Sequence, residues 1–329
     1  MNITHTKQKI KYDYLKHIIK YPISRTSRKF IREYHNNKHL DFYLIMTILV
    51  KNEQDILEKQ IRFHKAMGVD SFIATSHNST DKTNEILEKL KKEGLILDII
   101  YETDPIYHQS KFVNKMINLA KNKYNADWII NADADEFYYS KHLNLKADIA
   151  EAIKAGLNNL WVDSTFLFPT DEQDYLRDSH YFVIKPFQNF EAKNLEIKSD
   201  KIFEIFIGSQ GCTKVIHNTK DFKEIYMGNH SIKMRNNKAM QSSTILLYHY
   251  HIRNYQQQKE KVLRYIDTQI PNGGGTHMLN MINLYKQGKL RESYEAQFGA
   301  RIKDFLLKEG VIAIDKSVSN FLRWQGIIK

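Results

Sequence analysis

Trp128-Ile129-Ile130-Asn131-Ala132-Asp133-Ala134-Asp135-Glu136-Phe137 is the stretch on which the fold turns. A strand is predicted over 127–131, and the chain then runs directly into Asp133, Asp135 and Glu136. Ligands of open α/β sheets bind at the carboxyl ends of the strands, so a buried strand ending on carboxylates marks a place for chemistry. Two carboxylates one residue apart, Asp133 and Asp135, can both reach one divalent cation where the chain turns. Hard oxygen ligands of this kind suit Mg²⁺ or Mn²⁺. Such a cation bridges the phosphates of a nucleotide and stabilises a departing diphosphate. A bare Asp-x-Asp also describes a solvated acidic turn; what distinguishes this one is its place in a repeating pattern.

Upstream, 43–50 is a continuous apolar run containing β-branched residues, the mark of a strand buried on both faces. A helix follows over 53–67, ended by Gly68. A strand at 71–75, a helix from about 80 to 92 closed by Gly94, a strand at 95–101 and a helix at 109–124 lead to the acidic stretch. Four strand–helix alternations at this spacing predict βαβ units, hence an α/β fold with a mostly parallel sheet flanked by helices. Lys51-Asn52-Glu53, Ser79-Thr80-Asp81 and Asp133-Ala134-Asp135-Glu136 all fall at strand carboxyl ends and are expected to converge. Downstream, strands are predicted at 160–168, 180–186 and 214–217, and helices at 256–269, 277–287 and 300–309.

The 329 residues are 42% hydrophobic and 26% charged, enough for a packed core. The single cysteine, Cys212, cannot form an internal disulfide, which points to a reducing compartment. The longest strongly apolar run, 44–50, is too short to span a bilayer, and 1–11 is polar and basic, unlike a signal peptide. A soluble, cytoplasmic protein is expected. Of the net charge of +11, residues 1–40 hold +8. This basic arm, amphipathic and helical in pattern over 8–34, suits an anionic membrane surface or a nucleic acid. No Cys cluster, His-Glu-x-x-His, Walker loop, Gly-x-Gly-x-x-Gly or Gly-x-Ser-x-Gly is present, which removes the zinc, P-loop, dinucleotide and α/β-hydrolase readings.

Four motifs in this order carry a resemblance. Val50-Lys51-Asn52-Glu53, Phe63-His64-x-x-Met67-Gly68-Val69, Asn78-Ser79-Thr80-Asp81-Lys82-Thr83 and 128–137 together resemble the family-two-like glycosyltransferases of the GT-A fold. Leu247-Tyr248-His249-Tyr250-His251-Ile252-Arg253 is similar to that group's C-terminal His-Tyr-x-x-Arg element. The resemblance covers about residues 43–262. It implies a Rossmann-like GT-A domain over 41–262, with a nucleotide-sugar half (41–140) and an acceptor half (141–262), between the basic arm (1–40) and a helical C-terminal extension (263–329). It further implies a nucleotide-sugar-dependent transferase using Mn²⁺ or Mg²⁺, with UDP the favoured nucleotide.

Carried over, Asn52 and Glu53 lie near nucleobase and ribose, Asp81 at the base, Asp133 at ribose and metal, and Asp135 as the main metal ligand. His249 is the candidate third ligand and His230 its competitor. Arg253 and Lys259 are candidates to hold the diphosphate, the guanidinium fork suiting phosphate. An inverting transfer needs a carboxylate base; Asp171 and Glu172 rank first, ahead of Asp174 and Glu204. Aromatics from Trp161 to Phe187 are mostly core by their alternation.

The implied setting is cell-surface polysaccharide or lipopolysaccharide synthesis, with a saccharide or lipid-linked acceptor and the arm docked on the inner face of the cytoplasmic membrane. A sugar nucleotidyltransferase is the alternative on this fold, but it normally carries a basic Gly-rich loop where this chain has Lys51-Asn52-Glu53-Gln54. A nucleic-acid-binding protein is disfavoured because the chain beyond residue 40 is near charge balance, at +3. Deleting residues 1–40 should reduce sedimentation with anionic vesicles while sparing turnover on a soluble acceptor; equal sedimentation with and without the arm would refute docking.

Overall fold

In a computed structural model of the chain, residues 42–184, 213–267 and 276–329 are described. The basic arm, Glu204, Phe187, Cys212 and the Gly273-Gly274-Gly275 loop lie outside them.

The predicted alternation is present. β1 (Leu44–Val50), α1 (Leu57–Ala66), β2 (Ser71–His77), α2 (Thr83–Lys92), β3 (Ile96–Glu102), α3 (Gln109–Tyr124) and β4 (Trp128–Asp133) follow in order. β1 pairs in parallel with both β2 and β4, and β2 with β3. Leu44, Met46, Ile48 and Val50 feed one core, while Ile45 and Leu49 feed a second against α3. A strand covered on both faces must be apolar throughout, which is why β1 shows no polar alternation. α1 begins later than its apolar pattern predicts. Residues 53–56 are held in a turn by bonds from Glu53 N to Thr83 Oγ1 and from Gln54 N to Asp81 Oδ2.

After β4 come β5 (Glu136–Ser140), α4 (Leu145–Lys154), β6 (Asn159–Val162), β7 (Ser164–Phe166), α5 (Tyr175–Asp178), β8 (Tyr181–Val183), β9 (Lys214–Asn218), β10 (Phe222–Ile225), β11 (Ile232–Met234), β12 (Ala239–Gln241) and β13 (Ile245–His249). The main sheet runs β12-β6-β9-β4-β1-β2-β3, with β9 antiparallel to β4 and β6. Strand order therefore reverses at β1 and β4, the switch point beyond whose carboxyl ends α/β sheets place ligands. A smaller sheet, β5-β13-β7, stands beside it. The single strand predicted over 160–168 is two, β6 and β7, which belong to different sheets.

The chain continues through α6 (Tyr255–Asp267), α7 (Thr276–Lys286), α8 (Leu290–Phe298), α9 (Ala300–Lys308), β14 (Ile312–Ile314) and α10 (Ser317–Trp324). β14 pairs with β8. α10 enters the main core: Phe321 meets Phe63 edge-on at 5.2 Å and Tyr139 at 6.4 Å. β5, α4, α5, β10 to β14, α8 and α10 were not predicted. Among the described residues no helix is long and apolar enough to cross a membrane.

Two buried histidines brace this frame as neutral rings. His64 Nδ1 donates to Gln60 O at 2.8 Å, and Nε2 accepts from Tyr138 N at 2.9 Å. His217 Nδ1 donates to Asn218 O, and Nε2 accepts from Asn131 Nδ2, whose own Oδ1 accepts from Thr47. A proton on either Nε2 would break one of these bonds. Burial lowers His64 to about 3 and His217 to about 4. Both values lie below the unfolded one, so the unfolded chain binds more protons between them. Their contribution is complete above about pH 6.5 and shrinks as pH falls. Urea unfolding should lose about 1.4 kcal/mol per pH unit for each histidine between pH 6 and 4.5, and His217→Gln should flatten that slope. An unchanged slope would count against it.

Candidate active site

The smaller sheet builds the centre. In the antiparallel pairing of β5 with β13, His249 stands opposite Glu136 and Tyr248 opposite Phe137. The ladder continues one step further, with Tyr250 N donating to Asp135 O at 2.8 Å. Side chains alternate along an extended segment. Tyr248 and Tyr250 are buried in the core, the Tyr248 hydroxyl donating to Asp315 at 2.6 Å. His249 and His251 share the other side, with ring centroids 5.1 Å apart. The His249 Nε2 to Asp135 Oδ1 distance is 3.3 Å, and the His249 ring rests on Phe166 at 5.3 Å.

One ligand atom from each of Asp135, His249 and His251 lies within 4.8 Å of the others. One carboxylate oxygen and two imidazole nitrogens form a donor set that fits a divalent cation. Burial alone would raise the Asp135 pKa. The charge and hydrogen bond of His249 and the charges of Lys261 and His251 together outweigh it, and the carboxyl is held well below the usual range. A carboxylate kept ionised while 6% exposed is what a cation site requires.

Asp133 is directed elsewhere. Two turn residues, Ala134 and Asp135, separate β4 from β5. The Asp133 carboxylate lies 3.5 Å from Lys214 Nζ, and its backbone N–H donates to Glu136 Oε2 at 3.1 Å. Lys214 pairs with the fully buried Glu136 at 2.8 Å. Burial pushes Glu136 up, and Lys214 offsets this only in part. The ligand cluster of the structure thus has His251 where the sequence pointed to Asp133. His230 is also outside it, bound through Nδ1 to Thr213 O at 2.9 Å.

The loops after β1 and β2 are bound to each other. Asn52, at φ 54°, accepts from Thr80 N at 2.7 Å and donates to Thr80 Oγ1 at 3.1 Å. Asp81 accepts from Thr83 N and Gln54 N. Expected at the nucleobase, both side chains here fasten loop to loop. Arg253, 1% exposed, pairs with Glu53 at 2.8 Å and with Asp55 at 3.0 Å, under the ring of Tyr175. Burial raises Glu53 despite Arg253. The guanidinium expected on a diphosphate is therefore committed to two carboxylates.

Lys259 is half-buried on α6, but two residues of helix turn through about 200°, and it is Lys261 that reaches the cluster. Lys261 Nζ lies 3.1 Å from His251 Nδ1 and 3.3 Å from His251 O. Arg264, one turn on, pairs with Glu53 at 3.4 Å and donates to Asn52 O. Asp171 is exposed and faces Arg291 at 3.4 Å; Glu172 is exposed in the same loop. Among the described contacts none joins either acid to the cluster. His251, Lys261, Arg264 and Lys214 were not singled out from sequence. The Tyr-His-Tyr-His alternation carried the signal for His251: core and site residues taking turns on one strand.

The family model for glycosyltransferase family 92 matches residues 41–283. The chain belongs to that family and is a glycosyltransferase; the family-two-like resemblance is corrected to family 92. Among solved structures, residues 1–349 of S. aureus TarS match with 14% identity over 81% of this chain and 75% of that one, at a TM-score of 0.40. The mannosyltransferase PcManGT from Pyrobaculum calidifontis, in complex with GDP-Man and Mn²⁺, matches with 10% identity over 97% of both chains, at 0.39. Glucosyl-3-phosphoglycerate synthase from Mycobacterium tuberculosis, with Mn²⁺, UDP and glucosyl-3-phosphoglycerate, matches with 10% identity over 70% of this chain and 81% of that one, at 0.35. No curated protein matches.

Removing one member of a buried ion cluster strands the others. Arg253→Met should cost about 3 kcal/mol in urea unfolding, and adding Glu53→Gln should recover part of it. A loss under about 1 kcal/mol, the ceiling for an exposed pair, would show that the pairs carry little.

Proposed function

We propose that this family 92 enzyme transfers a sugar from a nucleoside diphosphate donor, using a divalent cation held by Asp135, His249 and His251. The observation that carries the reading is that cluster, lying where β4 leaves the main sheet beside the switch point. When bound, the cation supplies positive charge to the two phosphates and stabilises the departing diphosphate. Two imidazoles beside one carboxylate favour Mn²⁺ over Mg²⁺, which prefers an all-oxygen set.

The chain's own residues do the rest. Asp133 lies one residue before the turn, half-buried and steadied by Lys214, so its carboxylate is offered to ribose hydroxyls. Arg253 and Arg264 hold Glu53 and the β1–α1 loop against α6, forming the wall on which the nucleoside rests. Lys261 adds positive charge on the side of the diphosphate. UDP is the favoured donor nucleotide, the acceptor is a saccharide or lipid-linked saccharide, and the basic residues 1–40 dock the enzyme on an anionic inner membrane face, as polysaccharide or lipopolysaccharide assembly requires.

The test is thermal unfolding with UDP, GDP and their sugars, each with Mn²⁺ and with chelator. A ligand that binds only the folded state raises Tm. A Mn²⁺-dependent rise for one nucleotide class, lost in Asp135→Ala together with about a thousandfold of turnover, is the expected result. Normal turnover in Asp135→Ala would overturn the assignment.

A further inference from the structure

A transfer that inverts the sugar needs a base for the acceptor hydroxyl, and the acids around the acidic turn have other work. Asp135 is kept for the cation, Asp133 and Glu136 share Lys214, and Glu53 and Asp55 hold Arg253. His230 is different. It follows the short turn Met227–Asn229 beyond β10. Its Nδ1 lies 2.9 Å from Thr213 O, and a carbonyl oxygen only accepts, so Nδ1 carries a proton and donates. Among the described residues none bonds Nε2, and the ring is half-buried, so the second nitrogen presents an open lone pair. The turn is anchored at both ends. Gly228 N donates to Gln109 Oε1 at 2.9 Å, at the start of α3. Thr213 precedes Lys214, whose Nζ is 3.5 Å from the Asp133 carboxylate, so His230 is tethered on the Asp133 side of the acidic turn. Gly228 stands at φ 80°, and a Cβ on it would lie 2.6 Å from His230 Nε2 and cover that nitrogen. Asn229, at φ 58° and 1% exposed, leaves both polar atoms of its amide without a partner among the described residues. Two left-handed residues and a buried unpaired amide make a turn that stability alone would not select; such features are retained at sites. The charges that act on the ring are those of Lys214, Asp133 and His249. Burial and Lys214 lower its pKa against Asp133 and the bond to Thr213, which keeps the ring neutral near pH 7.

We propose that His230 is the general base of an inverting transfer, its Nε2 taking the proton of the acceptor hydroxyl. The inference rests on the donor reading proposed above. The acceptor O–H bond breaks and its proton goes to Nε2, while the oxygen's electron pair forms the bond to the anomeric carbon. The bond from that carbon to the diphosphate oxygen breaks, and the diphosphate leaves with the pair. The imidazolium keeps its Nδ1–H on Thr213 O throughout, so the ring does not turn, and it then returns the Nε2 proton to water. The Thr213 carbonyl does here what an orienting partner does for any histidine base: it fixes which nitrogen faces the substrate.

Water can stand in for the acceptor, so the test is release of UDP from UDP-glucose and of GDP from GDP-mannose in the presence of Mn²⁺. His230→Gln keeps a donor for Thr213 O but cannot take up a proton, and should lower release by about a hundredfold. Calorimetric titration of that variant with UDP and GDP in Mn²⁺ should give the affinity of the unaltered protein. Added imidazole should restore part of the release in His230→Ala, which a merely structural role would not allow. Two readouts on the unaltered protein need neither a variant nor a donor sugar. The ¹⁵N chemical shifts of His230 should show a neutral ring near pH 7 with its proton on Nδ1, and diethyl pyrocarbonate should label its Nε2. Undiminished release in His230→Gln, nucleotide affinity lost in step with release, a ring protonated on Nε2, or a His230 that resists the reagent would each overturn the base. Absence of Mn²⁺-dependent nucleotide binding by the unaltered protein would instead overturn the donor reading.

Discussion

The pairing of β5 with β13 is the constraint from which the site follows. It sets Glu136 opposite His249 and carries on to Asp135 and Tyr250. Because side chains alternate with a period of two, the register decides which residues face the core. A slip of one residue would put Tyr248 and Tyr250 where the histidines stand and bury His249 and His251 among Phe137, Phe182 and Tyr139. Aromatic burial on one side therefore holds the ligand geometry on the other. The core specifies the site without touching a ligand.

Charge is organised in two groups around that ladder, each built on a buried cation, Lys214 in one and Arg253 in the other. Lys214, Glu136 and Asp133 tie β9 to the β4–β5 turn. Arg253, Arg264, Glu53 and Asp55 tie α6 and the segment before it to the loop after β1. Burying such groups is costly, so each is retained in company. The first group fixes where the acidic turn leaves the main sheet. The second brings in residues some 200 positions further along the chain. Between them stand the Asp135, His249 and His251 side chains, joined to α6 by Lys261.

The parallel half of the fold was legible because its signals are local. Apolar runs of strand length, helices of period 3.6 and glycines at their ends all appear within a few residues of one another. Gly68 shows this well: at φ 96° it ends the turn after α1, and a Cβ there would stand 2.7 Å from Asn144 Oδ1. Asp135 and His249 were legible as chemistry. Strands at β6 to β9 were read in outline, but β5 and the break between β6 and β7 were not, since β5 continues an acidic motif and β7 is three residues long with its partner some 80 residues away. Arg253 shows the limit of reading a residue by its type. A guanidinium suits phosphate, but it suits two carboxylates as well, and nothing near it in sequence says that Glu53 and Asp55 will be beside it. Lys261 and Lys259 differ only in helical phase, which depends on where α6 starts; the Asn254 side chain sets that by accepting from Gln257 N at 2.9 Å.

Phe321 gives the structure a direction in time. It seats against Phe63, at the head of the fold, and against Tyr139 on β5, the strand that supports Asp135. A ribosome delivers residue 63 long before residue 321. Until the later segment leaves the exit tunnel, α1 and β5 have each other through Phe63 and Phe137, 5.1 Å apart, and lack only the Phe321 ring. The nascent chain can form its parallel sheet early, and the strand beneath the acidic turn gains this last aromatic brace only after residue 321 has been delivered.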